Sequence, residues 1–233
     1  MVKKAVKKKK VAKKKVVEEE SVSKVVKSSE EKTLTWLVVI VGIVFAAVLV
    51  PYFFSESSKS FEFGGVDWVI EDYAEPVGEI FHGRFVSLTN DALNYNVFFR
   101  TDPRTNDAEV VGKLDDFWSH EVISWSPEVE ACRGDLSRVM LDLGSFLKQG
   151  VGASVLDTGF TDEEAAKNTN SNFLTCHDAI ERTVVIVEIG ERGIVQSSVN
   201  PSCYTIYAED CEDSGVVEKF MTQAVIDFRN KYG

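Results

Sequence analysis

The stretch TVVIVEIGERGIVQSSV, Thr183–Val199, indicates the type of fold. Two runs of β-branched and aliphatic residues flank the turn-forming segment Gly190–Gly193, a pattern typical of a β-hairpin. The segment CYTIYAED, Cys203–Asp210, has the same strand-like character and is predicted to extend the returning strand. The sequence therefore predicts a hairpin with its turn at Gly190–Gly193.

Two segments show the three- and four-residue spacing of amphipathic helices. The first runs from Pro127, which suits a first helical turn, to a stop at Gly150. Its stripe is Val129, Cys132, Leu136, Val139, Met140, Leu143, Phe146 and Leu147. The second stripe is Val216, Val217, Phe220, Met221, Ala224, Val225 and Phe228. Between them, ASVLDTG (153–159) predicts a short strand and TDEEAAKN (161–168) a short helix.

Alternating aromatic and aliphatic residues occupy the region before the first helix. The three segments are FEFGGVDWVI (61–70), GEIFHGRFVSL (78–88) and LNYNVFFR (93–100), and HEVISWS (120–126) could add a strand. Such runs, separated by turn residues, are typical of an antiparallel meander. We therefore predict an α+β fold, with mixed α/β as the alternative, that contains this meander, a mixed sheet and two long amphipathic helices.

An apolar segment, TWLVVIVGIVFAAVLVPYFF, precedes these elements. From Leu34 to Phe54 there are 21 residues without a charge, and about 20 apolar residues suffice for a helix to cross a bilayer. Trp36 and Tyr52 stand near its ends, where amphipathic rings favour the headgroup region. The alternatives are a buried soluble helix and a cleaved signal peptide, whose apolar core is shorter, about 7 to 15 residues. We predict an uncleaved transmembrane signal anchor over residues 33–54.

Charge predicts the orientation of this anchor. Residues 1–32 contain 12 Lys and 5 Glu, whereas residues 33–233 contain 14 basic and 32 acidic residues. Because the Lys-rich side of a span stays in the cytoplasm, we expect a single-pass cell-membrane protein. Its parts are a disordered cytoplasmic tail at 1–32, the anchor, a polar spacer at 55–60 and an extracytoplasmic domain at 61–233.

The two charged regions predict different partners. The Lys-rich tail is expected to contact anionic lipid headgroups, with binding to RNA or the ribosome as the alternative. Nucleic acid is not expected to bind the outer domain, because its phosphates require clustered basic residues. An envelope protein or a glycan is the expected class of partner for that domain.

All four cysteines, Cys132, Cys176, Cys203 and Cys211, lie beyond the apolar segment. An even number of cysteines in an exported region indicates disulfides. The closest spacing, between Cys203 and Cys211, differs from the C-x2-C pairs of zinc sites. We expect disulfides in an oxidising compartment, with no metal and no cofactor.

Geometry favours one of the three pairings of these cysteines. The predicted hairpin places Cys203 opposite Ile180, four residues beyond Cys176, within reach of the roughly 5.5 Å Cα separation of a disulfide. Cys132 and Cys211 each stand at the start of a striped helix, and they would meet if the two helices packed side by side in the same direction. We predict Cys176–Cys203 and Cys132–Cys211.

Few residues suggest catalysis. In the segment TCHD, Cys176 and His177 would face opposite sides of an extended chain, which disfavours a thiol nucleophile with its base. The carboxylates available to a hydrolase include Asp157, Asp162 and Glu163. The histidines His82, His120 and His177 are dispersed, and the sequence contains no HExxH, G-x-S-x-G, P-loop or dinucleotide fingerprint. We predict no catalytic residue.

The segment FFRTDPRT, Phe98–Thr105, is the most specific local feature of the meander. Arg100 and Arg104 flank Asp102 in a predicted turn, and two guanidinium groups could clamp a carboxylate or phosphate. The alternative is that both arginines pair with acidic residues of the same domain and stabilise the turn. Arg100, Asp102 and Arg104 are thus the candidate anion-binding residues.

Five motifs, FEFGGVDW, VFFRTDPR, TCHD, SCYTIYAEDC and VEKFMTQAV, resemble a family of membrane-anchored proteins from DPANN archaea of the Woesearchaeota and Pacearchaeota group. The chain departs from the family pattern at Thr101 and Ser202, where the family has asparagine. The resemblance implies an exported domain and adds no catalytic residue.

Two functions remain open after these observations. The first is a membrane-anchored extracytoplasmic module for binding or envelope assembly. The second is an extracytoplasmic enzyme, either thiol-dependent through Cys176 or a hydrolase that uses carboxylates. A free thiol of low pKa would distinguish the thiol enzyme from the binding module.

Overall fold

The computed structural model describes residues 34–50, 59–90 and 92–232. The predicted tail at 1–32 lies outside these ranges, as do the last residues of the predicted anchor and most of the predicted spacer. Because of these gaps, the anchor is described only in part.

The chain divides into two units, Met1–Ser58 and Lys59–Gly233. In the first unit, residues 34–50 form a helix, α1. Among the helices of the described ranges, none is both long enough and apolar enough to span a membrane. The second unit starts two residues before the predicted Phe61, because Lys59 accepts a backbone hydrogen bond from Ile70 at 2.7 Å.

The first sheet is the predicted antiparallel meander. Its strands are β1 (Ser60–Phe63), β2 (Val66–Asp72), β3 (Glu79–Val86) and β4 (Asn94–Phe99), paired in chain order. Alternation sets its two faces: Trp68 and Phe99 are buried, whereas Val69 and Phe98 are exposed. The strand and turn pattern of this region therefore predicted the sheet correctly.

The second sheet is mixed and has seven strands. They are β5 (Glu109–Val111), β6 (His120–Trp125), β7 (Val155–Phe160), β8 (Asn172–Phe173), β9 (Thr183–Ile189), β10 (Gly193–Gln196) and β11 (Cys203–Ala208). Their order across the sheet is β5-β10-β11-β9-β6-β7-β8. The HEVISWS segment forms β6 and so belongs to this sheet and not to the meander.

The prediction of a hairpin between β9 and β10 is wrong. The last strand, β11, lies between them: it is parallel to β9, with Cys203 opposite Val184, and antiparallel to β10, with Gly193 opposite Tyr207. The chain bends at residues 190–192, and β11 lies between the two strands. The reason is that β9 and β11 are buried over most of their length, and each therefore needs a neighbour on both sides.

The helices are α2 (Pro127–Ala131), α3 (Asp135–Ser145), α4 (Glu163–Thr169) and α5 (Gly215–Tyr232). The predicted helix from Pro127 to Gly150 is therefore interrupted after Ala131. Gly134 adopts φ +99°, a left-handed conformation that a helix cannot contain. Beyond α3 the chain continues as a π-helix, Phe146–Val151. This π-helix is capped by Gly152.

The helices α3 and α5 and the π-helix lie between the two sheets. One continuous core contains Trp68 of the first sheet, Ile206 of the second, and Phe220 of α5. The Phe146 ring contacts the first sheet, and the Phe220 ring lies 5.8 Å from that of Tyr204 in the second. The domain is thus a three-layer arrangement. On the outer side of the mixed sheet, a second buried cluster that includes Val122, Val184 and Leu174 covers part of β6 and β9.

Two disulfides are present, and they are the pairs predicted from the sequence. Cys132–Cys211, with Cα atoms 5.2 Å apart, joins the regions that precede α3 and α5, two helices that pack against each other. Cys176–Cys203, at 5.5 Å, joins a 3-10 turn to the start of β11. The register argument for the second pair was nevertheless wrong, because Cys203 faces β9 in a parallel and not a hairpin pairing.

Candidate functional site

The parallel part of the mixed sheet is wound in two directions from β6. The chain moves from β6 outward to β7 and β8, then returns to β9 on the other side. Ligands commonly bind such sheets at the carboxyl ends of the strands where the two directions separate. Here α2 begins at that point and packs against β9, and the N–H of Ser126 donates to the Val187 carbonyl at 3.1 Å. An opening of about 200 Å³ remains beside Trp125.

A larger opening, about 410 Å³, lies over β5, β10 and β11. We call it the β10 pocket, and its lining includes Glu109, Val111, Glu191, Val195 and Tyr207. Because Ile194 and Ile206 belong to the core, the alternate residues of β10 and β11 face the opposite side of the sheet. The pocket therefore opens on the outer face of the mixed sheet.

The strand register explains why a pocket forms there. One row across the sheet reads Glu109, Gly193, Tyr207 and Glu188. Gly193 carries no side chain, so the row has a gap between the Glu109 carboxylate and the Tyr207 ring. The neighbouring row supplies aliphatic walls, since it includes Val111 and Val195, which are 50% and 38% exposed.

Gly190 shapes the position of the Tyr207 ring. A Cβ atom added to Gly190 would lie 3.0 Å from Cδ1 of Tyr207, tighter than ordinary van der Waals contact. The aromatic ring therefore occupies the space that a side chain at position 190 would take. Any larger residue there would have to displace the ring.

Arg192 holds the loop between β9 and β10 that borders the pocket. Its Nε donates to both carboxylate oxygens of Asp213 at 3.1 Å, and its Nη1 donates to Asp107 at 2.7 Å. Burial disfavours the cation, but these hydrogen bonds and charges raise the pKa of Arg192. Two carboxylates thus neutralise Arg192, and the guanidinium is occupied.

Three carboxylates near the Tyr207 ring have no such partner. Glu109 and Glu191 line the pocket, and Glu188 is the register neighbour of Tyr207 on β9. Within the part of the chain that the structure describes, none of the three has a basic group within ion-pair distance. The pocket therefore combines negative charge, an aromatic ring and aliphatic walls.

The candidate anion-binding residues do not converge on a common space. Arg100 donates from Nη1 to Oδ1 of Asp135 at 2.5 Å. Arg104 binds Asp102 through two nitrogens, at 3.0 and 2.6 Å, and its guanidinium lies 3.9 Å from the centre of the Phe61 ring. The hydrogen bond from Arg104 lowers the pKa of Asp102. These contacts match the alternative in which both arginines pair with acidic residues of the same domain.

The residues considered for catalysis are also separated. Cys176 is disulfide-bonded, and the described residues include no free cysteine, which excludes Cys176 as a thiol nucleophile there. Asp157 contacts Nε2 of His120 at 2.8 Å, Asp162 caps α4, and Glu163 pairs with Lys167. These three carboxylates therefore make separate local contacts.

The other histidines do not assemble a metal site. His82 lies between Glu71 and Asn96, at 2.9 and 3.2 Å, on the outer face of the first sheet. His177 belongs to the 3-10 turn. Among the described residues, no group of His, Cys, Asp and Glu side chains could hold a metal ion.

The sequence patterns did not indicate two carboxylates that are buried in the structure. Glu218, on α5, is 1% exposed and accepts hydrogen bonds from the backbone N–H groups of Arg100 and Thr101. Glu121, on β6, is fully buried, and its two oxygens have no hydrogen-bond partner in the described structure. Burial raises the pKa of both groups, far above the ordinary value for Glu121.

The β10 pocket also escaped the sequence analysis. Its two glycines were assigned to a hairpin turn, and its walls come from three strands whose neighbours depend on where β11 inserts. The only local signal was the alternation in β10, in which Val195 and the buried Ile194 face different sides of the sheet. No protein family model, curated protein or solved structure matches this chain.

Proposed function

We propose that this protein is a single-pass membrane-anchored binding module whose extracytoplasmic domain captures a partner through the β10 pocket. The tail would be cytoplasmic and would contact anionic lipid headgroups, and residues 33–54 would form the anchor. We further propose that it belongs to the DPANN family suggested by the five sequence motifs.

The anchor is supported by sequence and by α1. The 21 uncharged residues from Leu34 to Phe54 match the thickness of a bilayer. The apolar side chains of α1, such as Trp36 and Phe45, are exposed, at 68% and 64%. An exposed apolar helix requires an apolar environment to cover it. The Lys-rich tail on one side then gives the orientation.

The extracytoplasmic location of the domain is supported by its cysteines. All four are paired in two disulfides. Such bonds persist in oxidising compartments and are rare in the cytosol of most organisms. Residues 55–60, beyond the anchor, contain a single Lys, which agrees with the same orientation.

The binding role is carried by one observation, the β10 pocket. It is a preformed opening of about 410 Å³ with polar and apolar walls, and concave sites of this kind are the usual places of ligand binding. Its described lining contains no nucleophile paired with a base, which favours binding over catalysis.

Topology can be tested in cells that express the full chain. Protease added outside should remove epitopes fused after Gly233 and spare an epitope fused before Met1. Non-reducing peptide mapping of the same material should recover both disulfides. Protection of the C-terminal epitope would refute the orientation.

Binding through the pocket can be tested by site-specific photocrosslinking. The residue p-benzoylphenylalanine would replace Val195 in the pocket or, as a matched control, Val86 on the outer face of the first sheet. The two positions are equally exposed, at 38% and 39%. Crosslinks that form at Val195 and not at Val86 are expected. Equal crosslinking at both, or none at Val195, would contradict binding through the pocket.

A further inference from the structure

We propose that the ligand of the β10 pocket is a basic side chain, lysine or arginine, presented by an extended segment of a partner protein. This inference rests on the proposed binding function and names the chemistry of its ligand. It starts from the charges that the pocket leaves unpaired.

The pocket has complementary charge for a cation. Glu109 and Glu191 in the lining, and Glu188 beside it, have no basic partner among the described residues. Arg192, the basic residue of the lining, is engaged by Asp107 and Asp213 outside the pocket. An incoming ammonium or guanidinium group would therefore meet carboxylates that are free to pair.

The walls suit the long stem of such a side chain. Lysine and arginine bury their methylene groups against apolar surface and keep the charged end at polar groups. Val111 and Val195 offer exposed aliphatic surface in one row, and Glu109 stands in the next row. A cation near the ring of Tyr207 would gain a further cation–π attraction. Each part of the ligand thus has a matching part of the pocket.

The edge of the sheet favours an extended partner. β5 is the terminal strand beside the pocket, and the described backbone makes no hydrogen bond on its outer side. A partner strand added there would place alternate side chains on the face that carries Glu109 and Val111. Backbone pairing would then hold the segment while one basic side chain enters the pocket.

The test uses the full chain in nanodiscs of zwitterionic phosphatidylcholine, which has no net charge, and a fluorescent peptide in which lysine and threonine alternate. Fluorescence anisotropy should show binding that weakens with added salt. The same peptide with acetylated lysines, which lack the charge, should bind about tenfold more weakly, the effect of about 1.4 kcal/mol. Equal affinity of the two peptides would overturn the proposal.

Matched variants separate the pocket from the general negative charge of the domain. The double variant Glu109→Gln/Glu191→Gln should weaken lysine-peptide binding about tenfold. The control Glu62→Gln/Glu164→Gln removes the same charge at exposed positions outside the pocket and should have little effect. Equal losses in both would mean non-specific attraction and would refute the site.

The aromatic contribution is tested at Tyr207. Tyr207→Phe keeps the ring and should retain affinity, whereas Tyr207→Leu should lose affinity about threefold, within the range of an exposed cation–π contact. Circular dichroism and the melting temperature confirm that both variants are folded. Unchanged binding by the folded Tyr207→Leu variant would remove the ring from the site.

Two further outcomes separate this inference from the proposed function. If spermidine displaces the peptide at equal or lower concentration than free peptide does, the ligand is a free polyamine and the partner segment is refuted. If the lysine peptide does not bind but crosslinking at Val195 persists, the basic ligand is refuted and the binding function stands. If the lysine peptide does not bind and no crosslink forms at Val195, both the basic ligand and the proposed binding function are refuted.

Discussion

Oε2 of Glu218 accepts a hydrogen bond from the backbone N–H of Thr101 at 2.9 Å, across 117 residues of sequence. Oε1 of the same side chain accepts from the N–H of Arg100 at 3.0 Å and lies 3.4 Å from Arg138. One buried carboxylate thus joins the end of the first sheet to α3 and α5. It gives a hydrogen-bond acceptor to the N–H groups of two consecutive residues at the end of the first sheet.

We predict that loss of this carboxylate destabilises the domain. Glu218→Leu should lower the free energy of unfolding by about 3 kcal/mol, because two backbone donors and a nearby guanidinium lose their acceptor. Glu218→Gln retains one acceptor and should cost less. Urea denaturation of the full chain in detergent measures the difference. A Glu218→Leu variant as stable as the parent would show that these hydrogen bonds contribute nothing net.

Removal of the Glu121 carboxylate should stabilise the domain, in contrast to removal of the Glu218 carboxylate. Its oxygens are buried without partners, so Glu121→Met, of similar size, should raise the free energy of unfolding at neutral pH by about 1 to 3 kcal/mol. Glu164→Gln, at an exposed position on α4, is the control and should change little. A destabilised Glu121→Met variant would indicate that Glu121 has a partner that the structure does not contain.

The same residue predicts a pH dependence. Burial raises the pKa of Glu121 in the folded chain above its ordinary value of 4.5, so the folded state holds a proton that the unfolded state releases. Stability is therefore highest below pH 4.5 for this group and falls as pH rises through the raised pKa. Thermal melts across pH should show this fall in the parent and a smaller one in Glu121→Met. Parallel curves would contradict the raised pKa.

The two disulfides should differ in their contribution. They close segments of 79 residues, Cys132–Cys211, and 27 residues, Cys176–Cys203. In the chain-entropy description these loops correspond to about 4.5 and about 3.5 kcal/mol. Replacing Cys132 and Cys211 with serines should therefore destabilise the domain more than replacing Cys176 and Cys203 with serines. The reverse order in denaturation experiments would indicate that native-state contacts outweigh loop length.

Arg104 should be a structural residue. Arg104→Ala removes the ion pair with Asp102 and the contact with the Phe61 ring, and should lower stability by roughly 0.5 to 1 kcal/mol, the range for exposed pairs. The Arg104→Ala variant should bind the lysine peptide with the same affinity as the parent protein. If instead Arg104→Ala kept full stability but lost partner crosslinking at Val195, the anion-binding interpretation would be restored.

The sequence by itself determined the elements that depend on near neighbours. Alternation and turn residues defined the meander, because a hairpin pairs residues that are close in sequence. The cap at Asp162 marked α4 for the same reason. Both disulfide pairs were also predicted: Cys132–Cys211 from two helices that do pack against each other, and Cys176–Cys203 from a hairpin register that the structure does not contain. Composition suggested the anchor and its orientation, which remain predictions.

Only the tertiary structure decided where β11 lies. Its insertion between β9 and β10 is a competition among strands that are all apolar, and no local signal ranks those pairings. That one choice places Tyr207 between Gly193 and Glu188 and so creates the β10 pocket. The burial of Glu121 and Glu218 likewise depends on layers from distant parts of the chain. Short-range patterns are set by covalent geometry, whereas the site arises from contacts that exist only once the whole sheet has assembled.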